Sequence, residues 1–135
     1  MTESLLTAIK QAYDDSPLPA FLEGLFHIEA PQGTGGDYMT FFVVTAGREY
    51  WMGGRASRPT IQFSLWTDDS SPLDATRMME LWCVWLDREP GDPLRLDVAG
   101  GHQLMLTRET DAMILRDPDG GWHIFVTYSM LIDEV

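Results

Sequence analysis

Apolar and polar positions along this chain follow two periods, and their order predicts its elements. Leu5, Leu6, Ile9, Ala12 and Tyr13 recur at helical spacing with Lys10, Gln11 and Asp14 opposite, which predicts a helix over Ser4–Asp14. Thr2 or Ser4 can cap its start, and Pro17 and Pro19 end it, because proline disfavours helix in the residue before it. An apolar turn at Phe21–Leu25 leads into a strand near Phe26–Ala30, and Pro31–Asp37 is a loop by composition. Tyr38–Thr45, YMTFFVVT, is a strong strand signal, rich in aromatic and β-branched residues. Both of its faces are largely apolar, which places it mid-sheet or against another subunit. Thr60–Thr67 then alternates cleanly, with Ile61, Phe63 and Leu65 on one side and Gln62, Ser64 and Trp66 on the other.

The next segment changes period. Ser71 is an N-cap candidate, with Pro72 at the first helical position and Asp74 at the third, and the helix runs to about Leu86. From Met78 to Leu86 its one charged residue is Glu80. A helix apolar nearly all round is buried on several sides, which points to a partner subunit in so small a protein. Met78, Leu81, Trp82 and Trp85 are assigned to the chain's own sheet; Met79, Cys83 and Leu86 are the candidates for a neighbour's contact. Beyond the solvated stretch Asp87–Pro93, strands are expected at Leu94–Val98, His102–Arg108 and Ala112–Arg116, with an interruption at Glu109–Asp111 and a turn at Gly100–Gly101. Asp117–Gly121, DPDGG, is a hairpin turn into a last strand, Trp122–Ile132, whose Trp122, Ile124, Val126, Tyr128 and Met130 share a face.

Helix, strands, helix and strands to the end describe an α+β domain over residues 1–135. Its sheet is mainly antiparallel, with two α-helices packed on one side. A Gly-rich segment at about 47–58 reads as an exposed arm or loop, and there Tyr50, Trp51 and Met52 are candidate contact residues, since exposed aromatics in loops tend to touch something. No internal repeat interrupts the pattern. At 135 residues the chain can bury roughly 65–70% of its unfolded surface. Its apolar runs fall short of a membrane span, its N-terminus lacks a signal-peptide layout, and its lone Cys83 allows no internal disulfide, so a cytoplasmic protein is expected.

Charge alters this picture more than composition does. Nine basic residues against twenty-one acidic ones give a formal net charge of −12. Such a surface repels nucleic acid and anionic membrane unless its basic residues cluster. Two readings stay open: an acidic surface that keeps the protein soluble, or a surface that DNA passes without sticking.

Candidate chemistry is sparse, and no enzyme is expected. His27, His102 and His123 lack metal-ligand spacing, and Cys83 sits in an apolar helix beside Trp82 and Val84. Asp117 and Asp119 lack the remaining ligands of a calcium loop. Gly33–Gly36, GTGG, lacks the lysine and the strand–helix context of a phosphate loop, and no serine stands in a GxSxG elbow. No catalytic residue, cofactor or metal site is assigned.

The ordering of the whole chain resembles the tail terminator and tail completion proteins of long-tailed bacteriophages. The resemblance rests on the N-terminal helix TESLLTAIKQAY, a short strand ending at Ala30–Pro31, a Gly-rich loop, the strand YMTFFVV, then RPTIQFSLWT, the helix SPLDATRMMELWCVWLD, and Gly121–Trp122 opening WHIFVTYSMLI. It implies a small α+β protein that forms a homo-oligomeric ring, usually of six copies, which caps the tail tube and offers a surface for joining the head. Its implied partners are other copies of the chain, the tail tube protein and a head–tail connector protein. DNA would pass through the ring without specific binding, and no membrane is involved. The implied location is the host bacterial cytoplasm during assembly and then the virion tail. A competing reading is a small-molecule or peptide-binding α+β module, with Trp82, Trp85 and Met79 lining an apolar pocket.

Overall fold

The computed structural model describes residues 2–30, 36–45, 49–51, 54–69, 71–87, 95–98, 102–118 and 120–134; within these, the side chains of residues 2, 3, 45, 49–51, 54–57, 102–104, 133 and 134 lie outside the description. Helix α1 spans Thr2–Asp15 and a 3-10 turn spans Leu18–Ala20. The strands are β1 (Leu25–His27), β2 (Tyr38–Thr45), β3 (Glu49–Trp51), β4 (Gly54–Ser57) and β5 (Pro59–Thr67), followed by helix α2 (Leu73–Leu86) and then β6 (His102–Arg108), β7 (Met113–Arg116) and β8 (Trp122–Glu134). The fold is α+β as expected: one sheet of eight described strands, mostly antiparallel, with β1 and β2 running parallel.

The sheet is organised around β8. One edge of this strand pairs with β5 from Thr67↔Trp122 to Thr60↔Ser129, then with β4 from Ser57↔Ile132 to Arg55↔Glu134. The register is continuous across Arg58, so β4 and β5 act as one long strand. The other edge pairs with β7 over Trp122–Phe125 and with β6 over Tyr128–Asp133, with a register shift between Gln103 and Met105. The interruption expected at Glu109–Asp111 lies between β6 and β7, where Glu109 N donates to Thr127 O at 2.8 Å. In the β7–β8 turn, Asp117 N donates to Gly121 O and Gly120 adopts φ 104°, the left-handed region that glycine tolerates. Gly121 passes so close to β5 that a Cβ there would stand 2.2 Å from the Thr67 carbonyl oxygen.

Alternation places the core. Met39, Phe41, Ile61, Phe63, Leu65, Ile124, Val126, Tyr128, Met130 and Ile132 point to one face, and α1 and α2 cover it with Leu5, Ile9, Tyr13, Met78, Met79 and Trp82. Trp82 stands edge-on to Phe63 with ring centroids 5.1 Å apart, and Phe63 meets Tyr128 in the same way at 6.0 Å. Such aromatic pairs add about 0.5–1.5 kcal/mol to the area they bury.

Several expectations need correction. Helix α2 does not divide as expected: Ala75, Met78, Met79, Trp82, Cys83 and Leu86 form its buried stripe, while Leu81 is 42% exposed and Val84 74%. Met79, Cys83 and Leu86 therefore belong to the subunit's own core and cannot meet a neighbour. A helix this apolar carries little polar signal to set its rotation, and the assigned face was turned by about one residue. The helix also starts one residue later than expected, with Pro72 as N-cap, although Ser71 Oγ still accepts from Leu73 N at 3.3 Å. Residues 95–98 form no strand, although Leu96 and Val98 are buried in alternation. Strand β1 stops at His27 because Ile28 takes φ 72°, unusual for a β-branched residue. The Gly100–Gly101 turn and most of the Pro31–Asp37 loop lie outside the described residues.

The division of α2 is testable by urea unfolding. Trp82→Ala should cost about 3–5 kcal/mol, as for other large aromatic truncations in a core. Val84→Ala on the opposite side should stay within about 0.5 kcal/mol. Equal losses would mean that the helix is rotated differently.

Candidate assembly interface

The side of the sheet away from the helices carries a second set of side chains, some exposed and others, such as Thr40 and Ser64, buried. Ladder partners define its rows. Val44, Thr60, Ser129 and Thr107 make one; Thr40, Ser64, Phe125 and Met113 make another; Tyr38, Trp66, His123 and Leu115 make a third. Phe42, opposite Gln62, is 39% exposed and Val44 56%, while Met105, Met113 and Leu115 are also exposed. No outward position of β2, β5, β7 or residues 123–131 of β8 carries Asp, Glu, Lys or Arg. Glu109 stands at the margin, where Ser129 Oγ donates to its carboxylate. In a chain of net charge −12, a neutral, partly apolar face of this extent is a marked departure from the rest of the surface.

The polar groups on this face are held locally. Trp66 Nε1 donates to Thr40 Oγ1 at 3.0 Å, and the Trp66 ring stacks on His123 with centroids 3.9 Å apart and planes within 7°. Phe125 also meets the imidazole, with ring centroids 5.1 Å apart and planes tilted by 36°. His123 Nε2 is buried without a hydrogen-bond partner among the described residues, and desolvation lowers the pKa of the ring, only partly opposed by Asp117.

A second apolar surface lies on the far side of the domain, where α2 turns outward. Leu73 and Val84 project from it, with Arg77 and Glu80 between them along the helix. Leu81 lies on the flank of that face and, with Phe21, Met78, Asp37, Asp74 and Arg77, lines an open cleft of about 350 Å³. Arg77 reaches Asp74 at 3.9 Å, an exposed pair of little energetic weight.

The end of α2 is fixed to the sheet by a polar cluster. Asp87 N caps the helix on Cys83 O at 2.7 Å, its Oδ1 accepts from Tyr128 Oη at 2.9 Å, and its Oδ2 pairs with Arg108 at 3.0 Å. Burial raises the Tyr128 pKa and pushes the Cys83 thiol up as well, so that thiol is an inert core group. On the other flank, Arg95 lies 3.5 Å above the Trp85 ring and donates from Nε to Trp85 O at 3.2 Å. The pocket envisaged for a binding module is thereby occupied: Met79 and Trp82 have no exposed surface, and Trp85 is covered by Arg95. At the end of β5, Asp37, Asp68 and Asp69 bring carboxylate oxygens within 4.8 Å of one another, and Thr67 Oγ1 donates to Asp37 at 2.6 Å. Burial first, and the neighbouring acids second to the opposing Thr67 bond, leave the Asp37 pKa raised.

Of the contact residues read from the sequence, Tyr50 and Trp51 fall in β3, which pairs with β4 as Tyr50↔Arg55 and Trp51↔Gly54. Their side chains, and Met52 altogether, lie outside the described residues. Sequence reasoning missed Phe42, Val44, Met113, Leu115, Leu73 and Val84. The two-sided apolarity of YMTFFVVT was a usable signal for the first two. For Met113 and Leu115 the outward direction follows only from their register with β8.

The chain matches no family model and no curated protein. Among solved structures, it resembles a chain of the "Virion of native gene transfer agent (GTA) particle", with a TM-score of 0.74 over 93% of this chain and 91% of that chain at 16% identity. The likeness is one of fold. Among the described residues no helix is long and apolar enough to cross a membrane.

The histidine on the open face gives a pH dependence. Its folded-state pKa lies below the usual 6.5, so as pH falls the unfolded chain takes up the proton first. Stability should therefore drop as pH falls below about 6.5 and level off below the folded-state pKa. His123→Phe, which keeps the stack and removes the titration, should show a shallower loss between pH 7 and 5 in thermal unfolding. Identical profiles would rule out this contribution.

Proposed function

We propose that this protein is a structural component of a phage-like virion, and more specifically a ring-forming tail terminator or tail completion factor. The observation that carries this reading is the fold likeness to a chain of a gene transfer agent virion, which spans nearly all of both chains. Three further features support it. The order of elements resembles that family from end to end. The domain leaves two apolar surfaces uncovered, as an assembling subunit must. The excess of acid over base suits a ring whose lumen lets DNA pass without binding it. Copies of the chain form the ring, which caps the tail tube and presents a surface to the head–tail connector. Assembly takes place in the host cytoplasm, and the product is part of the virion tail. No catalytic step is assigned.

The test is the mass and symmetry of the purified protein, by light scattering and electron microscopy. A closed ring of several copies is expected, six being the number the resemblance suggests. A protein that stays monomeric at high concentration, and also in the presence of tail tubes, would sink the reading.

Within it, Tyr50, Trp51 and Met52 remain our candidate contacts on the β3–β4 segment. Trp51→Ala should weaken ring formation by about tenfold or more, the usual effect of losing an interface tryptophan, while the melting temperature of the subunit stays unchanged. A full-strength ring from that variant would remove Trp51 from the interface.

A further inference from the structure

Strand β5 runs between two unlike ends of the subunit. At its C-terminal end Thr67 Oγ1 donates to Asp37, and Asp37 lines the open cleft together with Phe21, Asp74, Arg77, Met78 and Leu81. At the other end β4 carries the same register on to Arg55, opposite Glu134, and pairs there with β3. Twelve residues along the ladder separate Arg55 from Thr67, roughly 40 Å at about 3.3 Å each. The β3–β4 hairpin therefore lies at the far end from its own cleft, and a contact between the two joins different copies. Such a contact is between unlike surfaces, and repeating it generates a ring when the rotation closes.

We infer that the β3–β4 hairpin of one copy docks in the cleft between Phe21, Met78 and Leu81 of the next copy, with Tyr50, Trp51 and Met52 as the residues inserted. The inference rests on the ring reading above and gives its candidate contacts a receiving surface. That surface combines exposed apolar side chains with an acidic end. Phe21 is 58% exposed and Leu81 42%. Asp68 and Asp69 bring their carboxylates within 4.8 Å of Asp37, Glu23 N donates to Asp37 O, and Arg77 is the one cation among the lining residues. Burial, and then the charges of Asp69, Asp68 and Asp74, hold the Asp37 carboxyl above its usual range against the Thr67 hydrogen bond.

Charge identifies the hairpin as the occupant. A chain of net charge −12 has few segments that such a cleft would not repel. Arg48, Arg55 and Arg58 are three of its nine basic residues, within eleven positions whose one acid is Glu49. Asp133 and Glu134 stand opposite Ala56 and Arg55 at the root of the hairpin, so the whole of it is balanced, and Tyr50–Gly54 at its end holds no acid. An arginine brought to the acidic end relieves the repulsion among its carboxylates, while the aromatic residues meet Phe21 and Leu81. Size agrees. The cleft of about 350 Å³ lies within the roughly 300–1,000 Å³ of sites that enclose a small ligand, so it takes one indole and part of a neighbouring residue.

The experiment is disulfide trapping between copies. Met52→Cys and Leu81→Cys, combined in one chain and oxidised at a concentration where wild type forms rings, should give disulfide-linked multimers up to the full copy number on a non-reducing gel. Tyr50→Cys in place of Met52→Cys covers a difference in reach, and the buried Cys83 stays out of the reaction. Leu81→Arg should keep the melting temperature of the subunit and reduce ring formation about tenfold or more. If wild type forms rings while neither cysteine pair links copies, or while Leu81→Arg assembles at full strength, the inference falls and the ring reading stands. The cleft is then left to another virion protein. Linkage of copies in pairs by Met52→Cys alone would mean that hairpins meet each other, which also overturns the inference. A wild type that never assembles defeats the ring reading itself, and this inference with it.

Discussion

The structure depends on strand β8 being satisfied on four sides at once. Its two edges hold β5 with β4 and β7 with β6, so its backbone is paired over most of its length. Its inner face supplies Ile124, Val126, Tyr128, Met130 and Ile132 to the core, and its outer face supplies His123, Phe125, Thr127 and Ser129 to the open side. Because side chains alternate with a period of two, a slip of one residue would exchange these sets. It would put Thr127 and Ser129 under the helices and Ile124, Val126 and Tyr128 in water. The core and the open face are therefore specified together, by one register.

What holds α2 to this framework is more varied than apolar burial. Trp82 and Met79 supply the burial, but burial alone leaves a helix free to slide or roll on a sheet. The contacts from Asp87 to Tyr128 and Arg108 fix its C-terminal end to β8 and β6, and Arg95 clamps Trp85 from the side. The ion pair is partly exposed and contributes little as an attraction. Its role is positional. The buried phenol of Tyr128 also requires a partner, and Asp87 provides one, so the polar contact removes a penalty as well as setting an angle.

Much of the fold was readable from residue order. The alternation in Thr60–Thr67 and Trp122–Ile132 gave the right inner faces, and DPDGG gave the hairpin, because each pattern reports a local rule that tertiary contacts then reinforce. The rotation of α2 was not readable. With Leu73, Leu81 and Val84 exposed and Met79, Cys83 and Leu86 buried, both sides look alike to a periodicity argument, and only the sheet beneath decides between them. Leu94–Val98 differs in kind: Leu96 and Val98 alternate as buried positions, yet residues 95–98 form no strand, so the alternation there reports burial and not pairing. The open face was half legible, since Tyr38–Thr45 signals two apolar sides, whereas the direction of Met113 and Leu115 needs a register set by long-range pairing.

The continuous register through Arg58 has a consequence for the β3–β4 segment. Strand β4 is paired to β3 on one side and to β8 on the other, and it resumes the pairing of β5 with β8 in the same register beyond Arg58 and Pro59. A projection built as a loop would lose backbone freedom on meeting a partner, about 1–2 kcal/mol for each residue fixed. This one is held by ladder hydrogen bonds in the isolated subunit, so that loss is already included in the stability of the fold. The segment is preorganised, and its direction in space is inherited from the sheet.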